Sequence, residues 1–299
     1  MRPDIDEWRR AGRIAREVLK VARSIIRPGM RIIDLCERLE DEIRRRGARP
    51  AFPVNIGINE DAAHYTSPPG DMSRIPNNSV VKVDIGAVLD SGAIADTAIT
   101  IFLGSSRQMH RFVVVAIEIL EHAIEHIRAG IRAGEIGGII WRKAHELGYG
   151  VLRDLGGHNI KAWRLHAGVT IPNIPRRLTS MLKEGDIIAV EPFIVFGAND
   201  SSTSPDMSRI HIFSVIKTDN NAVLKALYKR FRGLPFAIRW LRAISADIDR
   251  VGRLRKLLIG ESYRGRIRAY PTLVERRGLP VAQFEHTLLV KQNSAEVLT

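Results

Sequence analysis

The stretch DIGAVLDSGAIADT, residues 84–97, places the hardest constraint on what this chain can fold into. Two apolar strands flank the turn signal Asp90-Ser91-Gly92, and each carries a carboxylate, Asp84 and Asp96, where a folded chain would bury it. Like charges aimed at each other away from water are costly unless they are neutralised, paired or bound to a cation. Any fold this sequence adopts must bring something positive to that hairpin.

Three more polar residues sit oddly inside apolar strands: His158 in GGHNI, Glu191 in AVEPF and Glu285 in QFEHT. Singly, each has a plain reading as a turn-flanking imidazole, a strand-end acid or a solvent-facing acid. Together they make four carboxylates with no basic partner in their own strands, plus one imidazole. A pair of divalent cations would offset all four charges. Oxygen-rich ligation with a single nitrogen favours Mn, Fe, Co or Zn over a bare Mg or Ca site, without choosing among them.

The rest of the chain supports an α+β reading. Residues 4–47 have helical spacing (Ile14, Val18, Val21, Ile25) with a break at Pro28-Gly29. Short strands and turns occupy 51–104, a long amphipathic helix runs from His110 to Gly130, and a shorter one from Gly138 to Leu147. Strands return at 149–171 and in DIIAVEPFIV. Two or three helices fill 222–260, interrupted at Gly233-Leu234-Pro235, and VAQFEHTLLVKQ reads as one last strand. SVVKVDIG echoes DIIAVEPF, and GAIADTAIT echoes VAQFEHTLL, as if two strand pairs each deliver acids to a shared place.

Composition narrows the setting. At 299 residues, 45% apolar and 26% charged, the chain has the make-up of a soluble globular protein. Cys36 is its one cysteine, which excludes an intramolecular disulfide framework and fits a reducing, cytoplasmic location. No apolar run is long enough to span a bilayer; VVVAIEIL is broken by Glu118. The net charge of +13 is concentrated in 221–270, where thirteen lysines and arginines face only Asp247, Asp249 and Glu261. That stretch reads either as a solvated basic face or as a surface for phosphate-rich partners such as ribosomal RNA.

AFPVNIGINEDAAHYTSPPGD, DIGAVLDSGAIADTA, GGHNI followed by RLHAG, IPNIP, AVEPF and RGLPVAQFEHTLLV together resemble the methionine aminopeptidases of the pita-bread metallopeptidase family, in their type 2, archaeal form. The resemblance runs from about residue 5 to the C-terminus. It implies an α+β pita-bread fold with pseudo-twofold related halves, a single catalytic domain over 1–299, and a helical insertion at about 199–268. The short stretch ahead of AFPVN fits the archaeal form.

The resemblance also implies a site. Asp96 and Glu285 would bridge two metals, Asp84 would hold one of them, and His158 with Glu191 the other. Glu191 would serve as general base, while His64 in AAHYT and His166 in RLHAG would contact substrate. His158 and His166 are separated by an even spacing, so one extended segment would turn both to the same side. Phe52 and Ile56, near His64, are candidate walls of an apolar methionine pocket. The implied activity is removal of the initiator methionine from nascent chains, with a small second residue preferred; separately from the resemblance, the chain is expected to act as a monomer.

Two departures stand out. Asp84 and Asp96 are one residue further apart than is usual in the family, which calls for an odd loop or a bulge that Ser91-Gly92 can absorb. Val88 stands where relatives often carry a histidine, and is read as tuning near the turn. Two other readings stay open: a proline-specific dipeptidase of the same fold, and a non-enzymatic relative that binds RNA.

Overall fold

A computed structural model of the chain describes residues 3–243 and 248–299. Helix α1 (Ile5–Ile25) starts at Asp4, whose carboxylate accepts the Glu7 N–H while Glu7 accepts that of Asp4. Its apolar stripe buries Ala11, Ala15, Val18 and Ala22. After Pro28-Gly29 comes α2 (Ile32–Arg45), then β1 (Arg49–Pro50), β2 (Asn55–Ile58), β3 (Asp61–Ala63), β4 (Ser79–Val88) and β5 (Ile94–Leu103). Helix α1 covers the β4–β5 hairpin while α2 packs against α1, β1 and β2, and together they enclose the first core, with Leu35, Leu39, Val83 and Ile85 inside.

A second half repeats the plan: α3 (Arg107–Glu125), α4 (Ala133–Glu146), β6 (Gly150–Val151), β7 (Gly156–Ile160), β8 (Thr170–Pro172), β9 (Ile187–Val190) and β10 (Phe193–Val195). Its core joins Phe112, Ile119 and Ile136 to Ile188 and Val190. Both helices are displaced from their expected bounds: α3 stops before Gly130, and α4 starts ahead of Gly138. Gly134 and Gly137 look like breakers in sequence but lie inside α4. There a Cβ would come within 1.9 Å of the Arg176 carbonyl oxygen and 2.3 Å of that of Ile174. The helix uses glycine because the chain after β8 passes directly against it.

Between the halves' last strands lies a third body: β11 (Thr203–Val215), α5 (Ala222–Phe231), β12 (Phe236–Ala237), a 3₁₀ turn (Ile238–Ala243), α6 (Ile248–Tyr263) and β13 (Ile267–Glu275). Phe213, Leu224, Phe236 and Leu258 form its own core. Helices are present as the sequence suggested, but they rest on a long β11–β13 pairing that was not foreseen. Asp247, one of the acids of the basic stretch, lies outside the described residues.

The chain closes with β14 (Val281–Gln283), β15 (His286–Val290) and β16 (Ala295–Val297). The single last strand expected from VAQFEHTLLVKQ is therefore two strands in two sheets: β14 pairs with β10, and β15 with β9. Glu285 falls in the break and bridges to Ala98 of β5. Sheet orders are β1-β4-β2 with β5 on β4, β14-β10-β6, β12-β11-β13-β3 and β16-β15-β9-β7-β8. Among the described residues, no helix is long and apolar enough to cross a membrane.

Candidate metal centre

The β4–β5 ladder runs without a register shift from Ser79↔Leu103 to Val88↔Ile94. Asp84 lies opposite Ala98 and Asp96 opposite Gly86, so the two acids are diagonal neighbours on one face. The hairpin closes on Asp90-Ser91-Gly92: the Gly92 N–H donates to Leu89 O at 2.9 Å, and Gly92 takes φ +94°. That is an odd, three-residue loop with its left-handed residue last. The extra residue is absorbed in the loop, and neither acid is moved off the shared face.

The second half brings the other groups to that face. His158 sits in β7, opposite Ala189, and Glu191 directly follows β9. His158 Nε2 lies 3.4 Å from Asp96 Oδ2 and 3.7 Å from Glu191 Oε1. Ligand atoms of Asp96, His158 and Glu285 all lie within 4.8 Å of one another. Three threonines fasten β5 to the chain around Glu285. Thr97 O–H donates to Glu285 O (2.7 Å), Thr100 O–H to Gln283 O (2.6 Å), and Thr287 O–H to Asp96 O (2.8 Å).

Asp96, His158, Glu191 and Glu285 are buried and Asp84 is partly buried. Burial and the neighbouring Asp96 push Asp84 well up; burial, Asp96 and Asp84 do the same to Glu191. Glu285 is raised by burial and by Asp96, Glu191 and Asp84. Burial pushes Asp96 up to about 8, and lowers His158 to about 4, keeping its imidazole neutral.

A cavity of about 250 Å³ opens on these five residues and is also lined by Phe52, His64 and His166. His64 follows β3 with φ 66°, its ring edge-on to Tyr270 at 5.4 Å, and burial with the nearby His166 lowers it to about 4. The His166 ring lies 3.9 Å from that of His158 with its outer side open to solvent; burial, His158 and Arg268 lower its pKa. The two rings do not meet along one strand, as the even spacing suggested. The chain turns back at Lys161–Arg164, and the Ala167 N–H donates to Asn159 O. Phe52 lies over Gly86, between the two aspartates, where a Cβ would come within 2.3 Å of its ring.

Ile56 does not line this cavity. In β2 it pairs with Val83, while its neighbour Asn55 pairs with Asp84, so strand alternation turns Ile56 into the first core. Asn55 takes the place on the cavity wall. Gln283 was also missed: its Nε2 donates to Glu191 Oε2 at 3.1 Å and lies 3.5 Å from Glu285 Oε2. Its two-residue offset from Glu285 is the signal that could have found it.

The donor set suits divalent cations. Asp84 Oδ1, Asp96 Oδ1 and Glu285 Oε1 are buried with no hydrogen-bond partner, and no Lys or Arg forms an ion pair with any of the four acids among the described residues. Buried carboxylate oxygens left unpartnered are what a cation would satisfy. A second grouping, His122, Glu125 and His126 on α3, is open to solvent and has no such orphaned atom.

The chain is similar to known proteins along its whole length. The model of metallopeptidase family M24 matches residues 6–292. A methionine aminopeptidase from Methanothermobacter thermautotrophicus is 40% identical over 302 residues, covering 99% of this chain and 98% of the relative. Among solved structures, a methionine aminopeptidase from Thermotoga maritima superposes with a TM-score of 0.71 at 23% identity, covering 100% of this chain and 98% of that one. The prolidase from Pyrococcus furiosus superposes with a TM-score of 0.62 at 20% identity, covering 99% of this chain but 63% of its own length. The fold is the pita-bread arrangement of these neighbours. With its five metal-ligand candidates gathered in one cavity and a full-length relative at 40% identity, the chain belongs to the M24 metallopeptidases and, within them, to the methionine aminopeptidases.

Proposed function

We propose that this protein hydrolyses the first peptide bond of polypeptides that begin with methionine, as a type 2, archaeal-form enzyme that prefers a small second residue. The observation that carries this is the convergence of four carboxylates and an imidazole, with orphaned buried oxygens, on one cavity. Asp96 and Glu285 would bridge two divalent ions, Asp84 would complete one site, and His158 with Glu191 the other; Co, Mn, Fe and Zn all suit these donors. When bound, such ions supply Lewis-acid polarisation of the carbonyl and acidify the attacking water.

The chain's own residues do the rest. A Glu191 carboxylate oxygen takes the water's proton and hands it to the leaving amine, held in place by the Gln283 Nε2 donor. His166 donates an N–H to the oxygen that gains charge on the scissile carbonyl, and His64 orients the bond from the other side. Burial keeps the His64 ring neutral, and a neutral ring retains one N–H donor and one acceptor. Phe52 offers the methionine side chain an apolar wall.

The body over 203–275 is read as the type 2 insertion. Its outer basic face, including exposed Lys256 on α6, is read as a contact for ribosomal RNA, where nascent chains emerge in the cytoplasm. The protein is read as a monomer. The test is hydrolysis of Met-Ala-Ser against Ala-Pro after chelation and re-addition of single metals. Met-Ala-Ser should be cut and Ala-Pro spared. Glu191→Gln should lower kcat by about 10²–10⁴-fold; full activity in that variant removes Glu191 from the mechanism.

A further inference from the structure

One departure from the family pattern, Val88, lines a second cavity, and the other, the enlarged hairpin loop, packs against that cavity's Trp163. It has a volume of about 460 Å³ and is lined by Val88, Trp163 and Phe231 with Arg44, Arg49 and Arg230 around them. Pro235 lines this cavity and the metal-centre cavity alike, so the two adjoin.

Trp163 is the aromatic wall, and the hairpin loop seats it. Trp163 takes a left-handed backbone (φ 59°), its main-chain N–H donates to Gly92 O at 3.0 Å, and a Cβ on Gly92 would come within 2.5 Å of the ring. The Arg49 guanidinium lies 5.2 Å from the ring centre and that of Arg232 4.4 Å. Cations stacked on an aromatic face keep their charge and most of their N–H donors available. Among the described residues, no carboxylate lines the cavity. Arg49 meets only the almost fully exposed Asp90, at 3.3 Å, and neither Arg230 nor Arg232 forms an ion pair among the described residues.

Building on the proposed aminopeptidase reading, we infer that this cavity is a downstream subsite that selects substrates with acidic side chains beyond the second residue. An enzyme that holds the free amine at its metal centre has all the remaining substrate on the carboxyl side of the cut. Arg44 is paired with Asp41 at 2.6 Å and Arg239 with Glu40, so chain leaving the first cavity past Pro235 meets the guanidinium donors left unpaired among the described residues at Arg230 and Arg232, with Arg49 beside the exposed Asp90. An RNA phosphate shares part of that chemistry, but a recess adjoining the reaction site fits the substrate's own continuation better.

The test compares kcat/KM of the metal-loaded enzyme for Met-Ala-Ser-Asp-Glu-Asp-Gly and Met-Ala-Ser-Lys-Arg-Lys-Gly, with Met-Ala-Ser as reference. A few half-exposed charge pairs predict a preference of about tenfold for the acidic peptide at low ionic strength, carried in KM. In about 1 M salt the ratio should shrink below about twofold. Arg230→Glu and, separately, Arg49→Glu should bring the low-salt ratio to one or below, with unchanged melting temperature. Cleavage of Met-Ala-Ser with a wild-type ratio near one would overturn the subsite and leave the aminopeptidase reading standing; failure to cleave Met-Ala-Ser would take both down. Variants that lose salt-sensitive binding of a short RNA while keeping the peptide ratio would reassign the cavity to RNA.

Discussion

Removing one guanidinium should unfasten the third body from the first half. Arg239, in the 3₁₀ turn, is 4% exposed, and Glu40 of α2 is 1% exposed. The two form a buried ion pair. Arg239 also donates to Ser67 O at 3.1 Å, three residues beyond His64, while Glu40 accepts from Trp240 Nε1 at 2.6 Å and from the Val54 N–H at 3.2 Å. Burial pushes the Glu40 pKa up and Arg239 pulls it back. In Arg239→Met the carboxylate keeps its burial and loses its main cation, which costs about 3–5 kcal/mol. Arg44, 3.8 Å from Glu40, offers partial relief and places the expectation near 3 kcal/mol. At about 2–4 °C per kcal/mol, that lowers the melting temperature by roughly 6–12 °C. Adding Glu40→Leu removes the stranded charge, so the double variant should recover part of the loss, short of wild type because two N–H donors lose their acceptor. Calorimetric melting of all four proteins at equal metal loading reads the cycle. A single variant that melts within about 1 °C of wild type, or a double variant no better than the single, refutes the clamp.

His211 gives a pH signature away from the metal centre. Burial, with Arg255 next, lowers it to about 4, below its unfolded value, so the unfolded chain binds more protons between those two pKa values and stability falls as pH drops through that window. In His211→Gln, urea unfolding should show a loss from pH 7 to pH 4.5 about 2 kcal/mol smaller than wild type; equal losses contradict the shift. Gly137→Ala puts a methyl against the carbonyls of Ile174 and Pro172, and should cost about 1–3 kcal/mol by overpacking. Because the displaced chain continues directly from β8, the pairing partner of His158, metal affinity should fall with it; unchanged affinity would mean that α4 yields on its own. Chelation should lower the melting temperature, and a divalent ion at 100 times its Kd should restore about 2.7 kcal/mol. No response to Mn, Co, Fe or Zn would contradict a metal centre.

What could be read from the sequence was chemical oddity, because that is a local property. A carboxylate inside SVVKVDIG or DIIAVEPF is conspicuous whatever surrounds it. The fold came from the resemblance carried by those motifs, with which the echo of two acid-bearing strand pairs is merely consistent. Pairing is not local. Ile56 was drawn toward the pocket by its nearness to His64 in sequence, yet the register that sets Asn55 against Asp84 turns it into the core. Read from sequence, α4 starts at Gly138 and leaves out Gly134 and Gly137, because the chain that presses on them lies 35 or more positions away, at Pro172, Ile174 and Arg176. Gln283 and Thr287 look like ordinary strand residues until the strand is seen to break between them. Only then does Thr287, 191 residues from Asp96, fasten both the N–H and the carbonyl of that aspartate. The acids alone would repel one another apart. Their placement is imposed by neutral donors and acceptors on the backbone around them, and a hydroxyl on a strand carries no mark in sequence of the strand it will meet.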